Sequence, residues 1–429
     1  NNTGDFYVRV TGKNGAYNET EDFELTVTLQ GELCKAVQIP ADVHVSAPSG
    51  GYETLILWDS GRMDPDLTGN SAAEVAVLVS KLDELKSRPE VAGVVVDLAL
   101  QQHIQFLQDQ ANTLASCPFA SNLAARAIKG VVDDYRATNP DLKYVVIVGG
   151  DAAIPFFRYP DQTLLGSELG YDPPVADSTI SQGSLRTNHI LGQDEYGAEV
   201  LSLRDGEFPV PVLAVGRLVE SAAEINRVLD AYLSTAEGIV DTPTSTLVTG
   251  YDFLEDTANK IQEHLVAGTP GRNDSLITAA DVAPADPRSW TADQLRTELL
   301  DEREDIIFLA GHFSANSALA ADYESILVTT ELVASDVDLT NTLVYSAGCH
   351  SGYNIVDSHI VPGVTLYLDW PQAFAQKGAT LVAGTGYQYG DTDFIEYSER
   401  LYLEFTKQLR TGPNFGGRGP VAIGEALVK

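Results

Sequence analysis

Eight short, unbroken apolar runs recur along the chain with helical patterns between them, at 54–58, 91–98, 144–150, 212–218, 246–251, 305–310, 343–347 and 379–383. No other feature constrains the fold so tightly. A strand with one wet face alternates apolar and polar residues, whereas a parallel strand covered on both faces reads as a continuous apolar run. Helix starts between the runs carry reciprocal caps at Ser71-x-x-Glu74, Ser221-x-x-Glu224 and Thr291-x-x-Gln294. Strand and helix alternating in this way predict a doubly wound α/β architecture. Eight strands exceed one compact unit, so two side-by-side subdomains are expected, at 52–240 and 241–429. Residues 1–31 differ: Phe6–Val10 and Phe23–Leu29 alternate apolar and polar side chains, which predicts two antiparallel strands left from an upstream β-domain or pro-segment. Residues 32–51 read as a linker ending in Ala47-Pro48-Ser49-Gly50-Gly51.

Composition narrows the function classes. Apolar residues make up 44% of the 429, enough for a core, but the longest near-continuous apolar stretch, Val91 to Leu100, contains Asp97. It is too short for the roughly 18 residues a bilayer span needs. Asp and Glu number 61 against 27 Lys and Arg, a net charge of −34. Nucleic acid and anionic membrane surfaces demand a basic footprint and are excluded as partners. The acidic field attracts cationic substrates and suits structural calcium or a salty habitat. Three cysteines, Cys34, Cys117 and Cys349, permit one disulfide and leave at least one thiol; Cys34 with Cys117 would leave Cys349 free. The chain begins Asn1-Asn2-Thr3-Gly4 and reads as a matured piece of a longer product.

In open α/β sheets, ligands lie beyond the carboxyl ends of the strands. Two such ends carry reactive side chains. The run 305–310 leads into Gly311-His312, and the run 343–347 into Gly348-Cys349-His350-Ser351-Gly352. The spacing, 349 − 312 = 37 residues, leaves room for one crossover between adjacent parallel strands. An isolated cysteine reads as a core thiol and an isolated histidine as a loop residue. A thiol and an imidazole at one sheet edge are what nucleophilic catalysis needs, because the imidazole accepts the thiol proton. The glycines permit sharp turns and close approach of a carbonyl, with the N–H groups of Cys349 and Phe313 available to a developing oxyanion.

Around these residues the sequence resembles the gingipain-like cysteine peptidases, members of the caspase-fold group. The likeness rests on Gly311-His312, on Ala347 to Gly352, on Tyr144 to Gly149 with Ile154-Pro155, on Asp194-Glu-Tyr-Gly197, on Val215-Gly216-Arg217-Leu218, and on Ile423-Gly424-Glu425-Ala426-Leu427, and it runs from about residue 52 to the end. One position departs: Phe313 stands where the family has glycine, which would narrow the cleft while still supplying a backbone N–H. The resemblance implies a caspase-like α/β/α sandwich and a secreted or cell-surface thiol endopeptidase that needs no catalytic cofactor. It also implies an inhibitory pro-segment and protein or peptide substrates. By position it implies that Asp252 orients His312 and that Asp256 pairs with a substrate Arg or Lys. Asp256 reads equally as a helix N-cap. Tyr387 or Tyr389 is expected to wall the cleft, with Asp391 and Asp393 as a second acidic source for a basic-residue pocket or as caps of the next helix.

Other patterns are weaker. His350, Asp357 and His359 match no zinc spacing. Gly384-x-Gly386 lacks the third glycine of a dinucleotide loop. The acid-rich loop Asp59 to Asp66 offers calcium ligands without an EF-hand pattern. A non-catalytic, calcium-dependent adhesion module on the same scaffold is the alternative, supported by Phe313 alone. Transpeptidation would use the same thioester.

Overall fold

The computed structural model describes residues 34–429 except 42, 64–69, 164, 165, 172, 174, 204, 205 and 411–419. The strands expected in residues 1–31 lie outside the described residues, as does part of the loop from Asp59 to Asp66.

In the first half, β1 (Thr54–Trp58), β2 (Gly93–Asp97), β3 (Tyr144–Val148) and β4 (Ala214–Leu218) form a parallel sheet in the order β2-β1-β3-β4. In the second, β5 (Ser245–Gly250), β6 (Arg272–Ile277), β7 (Ile306–Leu309), β8 (Leu343–Ser346) and β9 (Thr380–Ala383) form another, ordered β6-β5-β7-β8-β9. Each sheet is covered on both faces. Leu55 and Leu57 of β1 pack beneath a helix at Pro118–Thr138, while Ile56 and Trp58 pack against helices at Ala72–Ser87 and Ala222–Leu233. Phe308 and Tyr345 face helices α1 (Glu255–Val266) and α2 (Tyr397–Leu409) on one side of the second sheet. Ile307, Leu309 and Val344 face the helix Trp370–Gln376 on the other. The result is an α/β/α sandwich built on two parallel sheets, one in each half of the described chain.

All eight expected strands are present to within a few residues, and the three caps at Ser71, Ser221 and Thr291 form with both reciprocal bonds. β6 was not anticipated. Its sequence, Arg-Asn-Asp-Ser-Leu-Ile, carries no apolar run because it is a half-exposed edge strand with one neighbour. The two halves touch along several elements. The Gln376 amide donates to Glu224 Oε1 at 2.8 Å, and Tyr144 Oη donates to Glu425 Oε1 at 2.6 Å. Cys34 and Cys117 are joined by a disulfide, leaving Cys349 as the free thiol.

Candidate active site

Strand order in the second sheet reverses between β5 and β7, and the register carries the chemistry to that switch point. Phe308 of β7 pairs with Val248 of β5, so His312 and Asp252 fall four residues beyond the same rung. Leu309 pairs with Ser346 of β8, so His312 and Cys349 fall three beyond theirs. Three adjacent parallel strands thus deliver a carboxylate, an imidazole and a thiol to one edge. His312 and Cys349 line a common cleft of about 90 Å³, together with Phe253, Leu254, Gly311, Ala347, Gln388, Tyr389, Gly390, Ser398 and Glu399.

Gly311 sits at φ +148, and a Cβ there would lie 2.4 Å from the Tyr251 ring. Only glycine lets the chain pass under Tyr251 and present His312. The imidazole is exposed at the cleft mouth but crowded by Tyr251, Phe253 and Tyr323 at ring-centroid distances of 5.2, 5.2 and 5.3 Å. Its Nε2 is 3.3 Å from Tyr323 Oη. This desolvation lowers the His312 pKa, and the nearby charge of Asp252 opposes the shift. Among the described residues no hydrogen bond joins Asp252 to His312, so Asp252 acts on the ring through space.

Cys349 is partly buried, its Sγ 3.4 Å from the Gln388 N–H. Burial raises its pKa, the Gln388 amide opposes the rise, and Glu168 adds to it. With the thiol pKa raised and the imidazole pKa lowered, Cys349 and His312 are both neutral at neutral pH.

Phe313 does not narrow the cleft. Its ring lies where a Cβ of residue 348 would sit, 2.3 Å away, which explains Gly348, and it packs 5.6 Å from Trp370 in the core. The backbone after His312 pairs Phe313 with Ala318 through bonds from Ser314 N–H to Ser317 O and from Leu319 N–H to His312 O, both 2.9 Å. Neither bond uses the Phe313 N–H.

The acidic residues distribute differently from their order in the sequence. Asp256 is exposed in the first turn of α1, where its Oδ1 accepts from the Thr257 N–H at 2.7 Å. Asp391 is turned back on its own loop, accepting from the N–H groups of Asp393 and Phe394 at 2.8 and 3.1 Å, and Asp393 is exposed. The acid that lines the cleft is Glu399, 1% exposed, which sequence reasoning missed. Its Oε1 accepts from Thr257 Oγ1 at 2.7 Å and its Oε2 from the Asp391 N–H at 2.8 Å. Burial raises its pKa; these bonds oppose the rise and Asp256 adds to it. A signal was legible: Glu399 shares a helical face with Tyr402, Leu403 and Thr406, so an acid stands on the apolar side of an amphipathic helix.

Tyr389 forms part of the wall, its Oη 2.9 Å from the Gly166 carbonyl, whereas Tyr387 turns away to stack edge-on against His350 at 4.6 Å. Asp59 is fully buried and accepts from the Arg62 N–H and the Gln105 amide. Asp357 accepts from Gln372, and His359 contacts Ser181. Among the described residues, no three His, Cys, Asp or Glu side chains are grouped to hold a metal, and no helix is long and apolar enough to cross a membrane.

Fold and site together define an α/β/α sandwich with a thiol and an imidazole at the switch point of its second sheet. No family model and no curated protein sequence matches the chain. Among solved structures it is similar to that of the Arg-specific cysteine proteinase gingipain R, with 12% identity and a TM-score of 0.43, covering 85% of this chain and 68% of that one. It is also similar to a structure described as a protease, with 13% identity and a TM-score of 0.44, covering 79% of this chain and 60% of that one.

Proposed function

We propose that the chain is a cysteine endopeptidase cleaving after basic residues, with Cys349 as nucleophile and His312 as proton acceptor. The observation that carries this reading is the register of β7 and β8, which brings both side chains to one cleft. His312 takes the thiol proton as Sγ attacks the peptide carbonyl. The tetrahedral oxyanion is held by the N–H groups of Cys349 and Phe313, and its collapse expels the amine protonated by His312, leaving a thioester. His312 then draws a proton from water, which hydrolyses the thioester. Asp252 favours the transient imidazolium electrostatically. A guanidinium or ammonium entering the cleft meets Glu399, with Asp256 behind it and Tyr389 along its stem. The acidic excess of the whole chain favours such substrates. Substrates are unfolded or flexible peptide segments, and the working site is outside the cell, where the Cys34–Cys117 bridge persists. The test is cleavage of a peptide library by Cys349→Ala: the reading expects loss of activity, and undiminished cleavage removes it.

A further inference from the structure

The connection between β3 and β4 is long, and part of it leaves its own sheet to lie against the loops of the other. Glu168, 2% exposed, stands on a single helical turn there. Its Oε2 is 2.9 Å from His350 Nε2, and its Oε1 accepts from the Tyr387 N–H at 2.8 Å. One carboxylate thus bridges the residue following the nucleophile and the loop that carries the wall residues Gln388 and Tyr389. Three residues on, Tyr171 stacks on the His350 ring at 3.5 Å and accepts from the Ala315 N–H at 3.3 Å, three residues past His312. His350 itself holds a left-handed φ of +56, which a non-glycine residue keeps only under constraint from its surroundings. Its N–H donates to the Gly386 carbonyl at 2.9 Å, and Gly352 N–H donates to Gly384 O at 2.8 Å. The nucleophile loop and the wall are therefore stapled to each other, and residues 168–171 hold both, with the histidine loop as the third contact.

We infer that Glu168 and Tyr171 are positioning residues for Cys349, a clasp supplied by the first subdomain that fixes the three loops of the site in the second. The inference rests on the proposed role of Cys349. It assigns a task to the first subdomain: the second sheet carries the reacting side chains, and the first sets their spacing. The titratable groups around the thiol are Glu168 and His350 behind it, Tyr387 against the His350 ring, Tyr389 in the wall, His312 across the cleft and Glu399 in its lining. Of these, Glu168 carries the negative charge that adds to the rise in the thiol pKa.

Two variants separate geometry from charge. Glu168→Gln keeps an acceptor for the Tyr387 N–H and reverses the bond to His350, the amide donating to Nε2 of the Nδ1–H tautomer, while deleting the charge; Glu168→Ala deletes the charge and both bonds. In each full-length protein, the rate of Cys349 alkylation by iodoacetamide is followed against pH, and kcat and KM are measured on one peptide. The expected result is a downward shift of the alkylation midpoint in Glu168→Gln, and a kcat in Glu168→Ala lower by about 10–100-fold with KM little changed, as misplacement of a nucleophile produces. Glu168→Asp, which keeps the charge on a shorter arm, is expected to keep the wild-type alkylation midpoint. A kcat loss in the Ala variant no larger than its loss of folded protein overturns the inference, and identical midpoints in wild type and Glu168→Gln remove the electrostatic effect assigned to the carboxylate. If the Ala variant fails to fold, kcat of Glu168→Asp decides, because the shorter arm cannot span both His350 and the Tyr387 N–H: a wild-type kcat there overturns the inference. Peptide cleavage that survives Cys349→Ala removes the peptidase reading instead, and the alkylation comparison still reports whether Glu168 governs the thiol.

Discussion

Replacing Glu399 by Gln tests how the cleft recognises its substrate. The substitution is nearly isosteric, and the amide is satisfiable in place: its oxygen accepts from the Asp391 N–H, and its nitrogen donates to Thr257 Oγ1 once that hydroxyl rotates. Folding is expected to survive; what is lost is the charge. A charge-assisted hydrogen bond from a guanidinium or ammonium to a buried carboxylate contributes about 1.5–3 kcal/mol, roughly 10–150-fold in kcat/KM. The assay uses two fluorogenic peptides differing only at the residue before the scissile bond, Arg in one and Gln in the other. The Arg peptide is expected to lose that factor and the Gln peptide to change by less than about threefold. The pH dependence has a definite sign. Glu399 has a raised pKa, so it is neutral at acidic pH and gains its charge as pH rises; wild-type preference for Arg therefore grows with pH, and in the Gln variant it is flat. Equal losses on both peptides would show that Glu399 only supports the loop, and no loss on Arg would refute its part in recognition.

Gly348→Ala drives a Cβ into the Phe313 ring at 2.3 Å, so it should cost about 1–3 kcal/mol in urea unfolding and lower kcat more than it raises KM. The acid limb of kcat/KM is expected below the ordinary imidazole value of 6.5, because the rings around His312 lower its pKa and the base stays neutral further into acid; a limb above 6.5 contradicts this. Iodoacetamide should react slowly with resting Cys349 at pH 6 and faster as pH rises, since its thiol pKa is raised; rapid labelling at pH 6 would mean a preformed thiolate. Replacing Cys34 and Cys117 by Ser opens a link across 83 residues and should lower unfolding stability by about 2–4 kcal/mol while leaving the alkylation profile of Cys349 in place.

Much of this arrangement can be read from the sequence because burial leaves a direct trace there. Thr54–Trp58 is buried at every position, so its apolar run marks the strand to the residue. The glycines before His312 and Cys349 mark tight passages under Tyr251 and beside Phe313, and they flag the strand ends that matter. The edge strand β6 escaped because a half-exposed strand need not be apolar. The short antiparallel pair Phe157–Pro160 with His189–Gly192 escaped because strands of four residues are too brief to show a period. Glu168 and Glu399 illustrate a harder limit. Each is 181 or 50 residues from Cys349 (349 − 168 and 399 − 349), and only the folded chain shows that both end beside it. Asp256 drew attention by position at the start of α1, yet the side chain inside the cleft is the one on the buried face of α2.

The most direct measurement is to treat the protein with a peptidyl acyloxymethyl ketone ending in arginine and to map the adduct by mass spectrometry, in the wild type and in His312→Ala. One adduct is expected, on Cys349 Sγ, formed at least about a hundredfold more slowly without the imidazole. A label on any other residue, or the same rate with His312 gone, would mean that the thiol and imidazole sharing this cleft do not work as a pair.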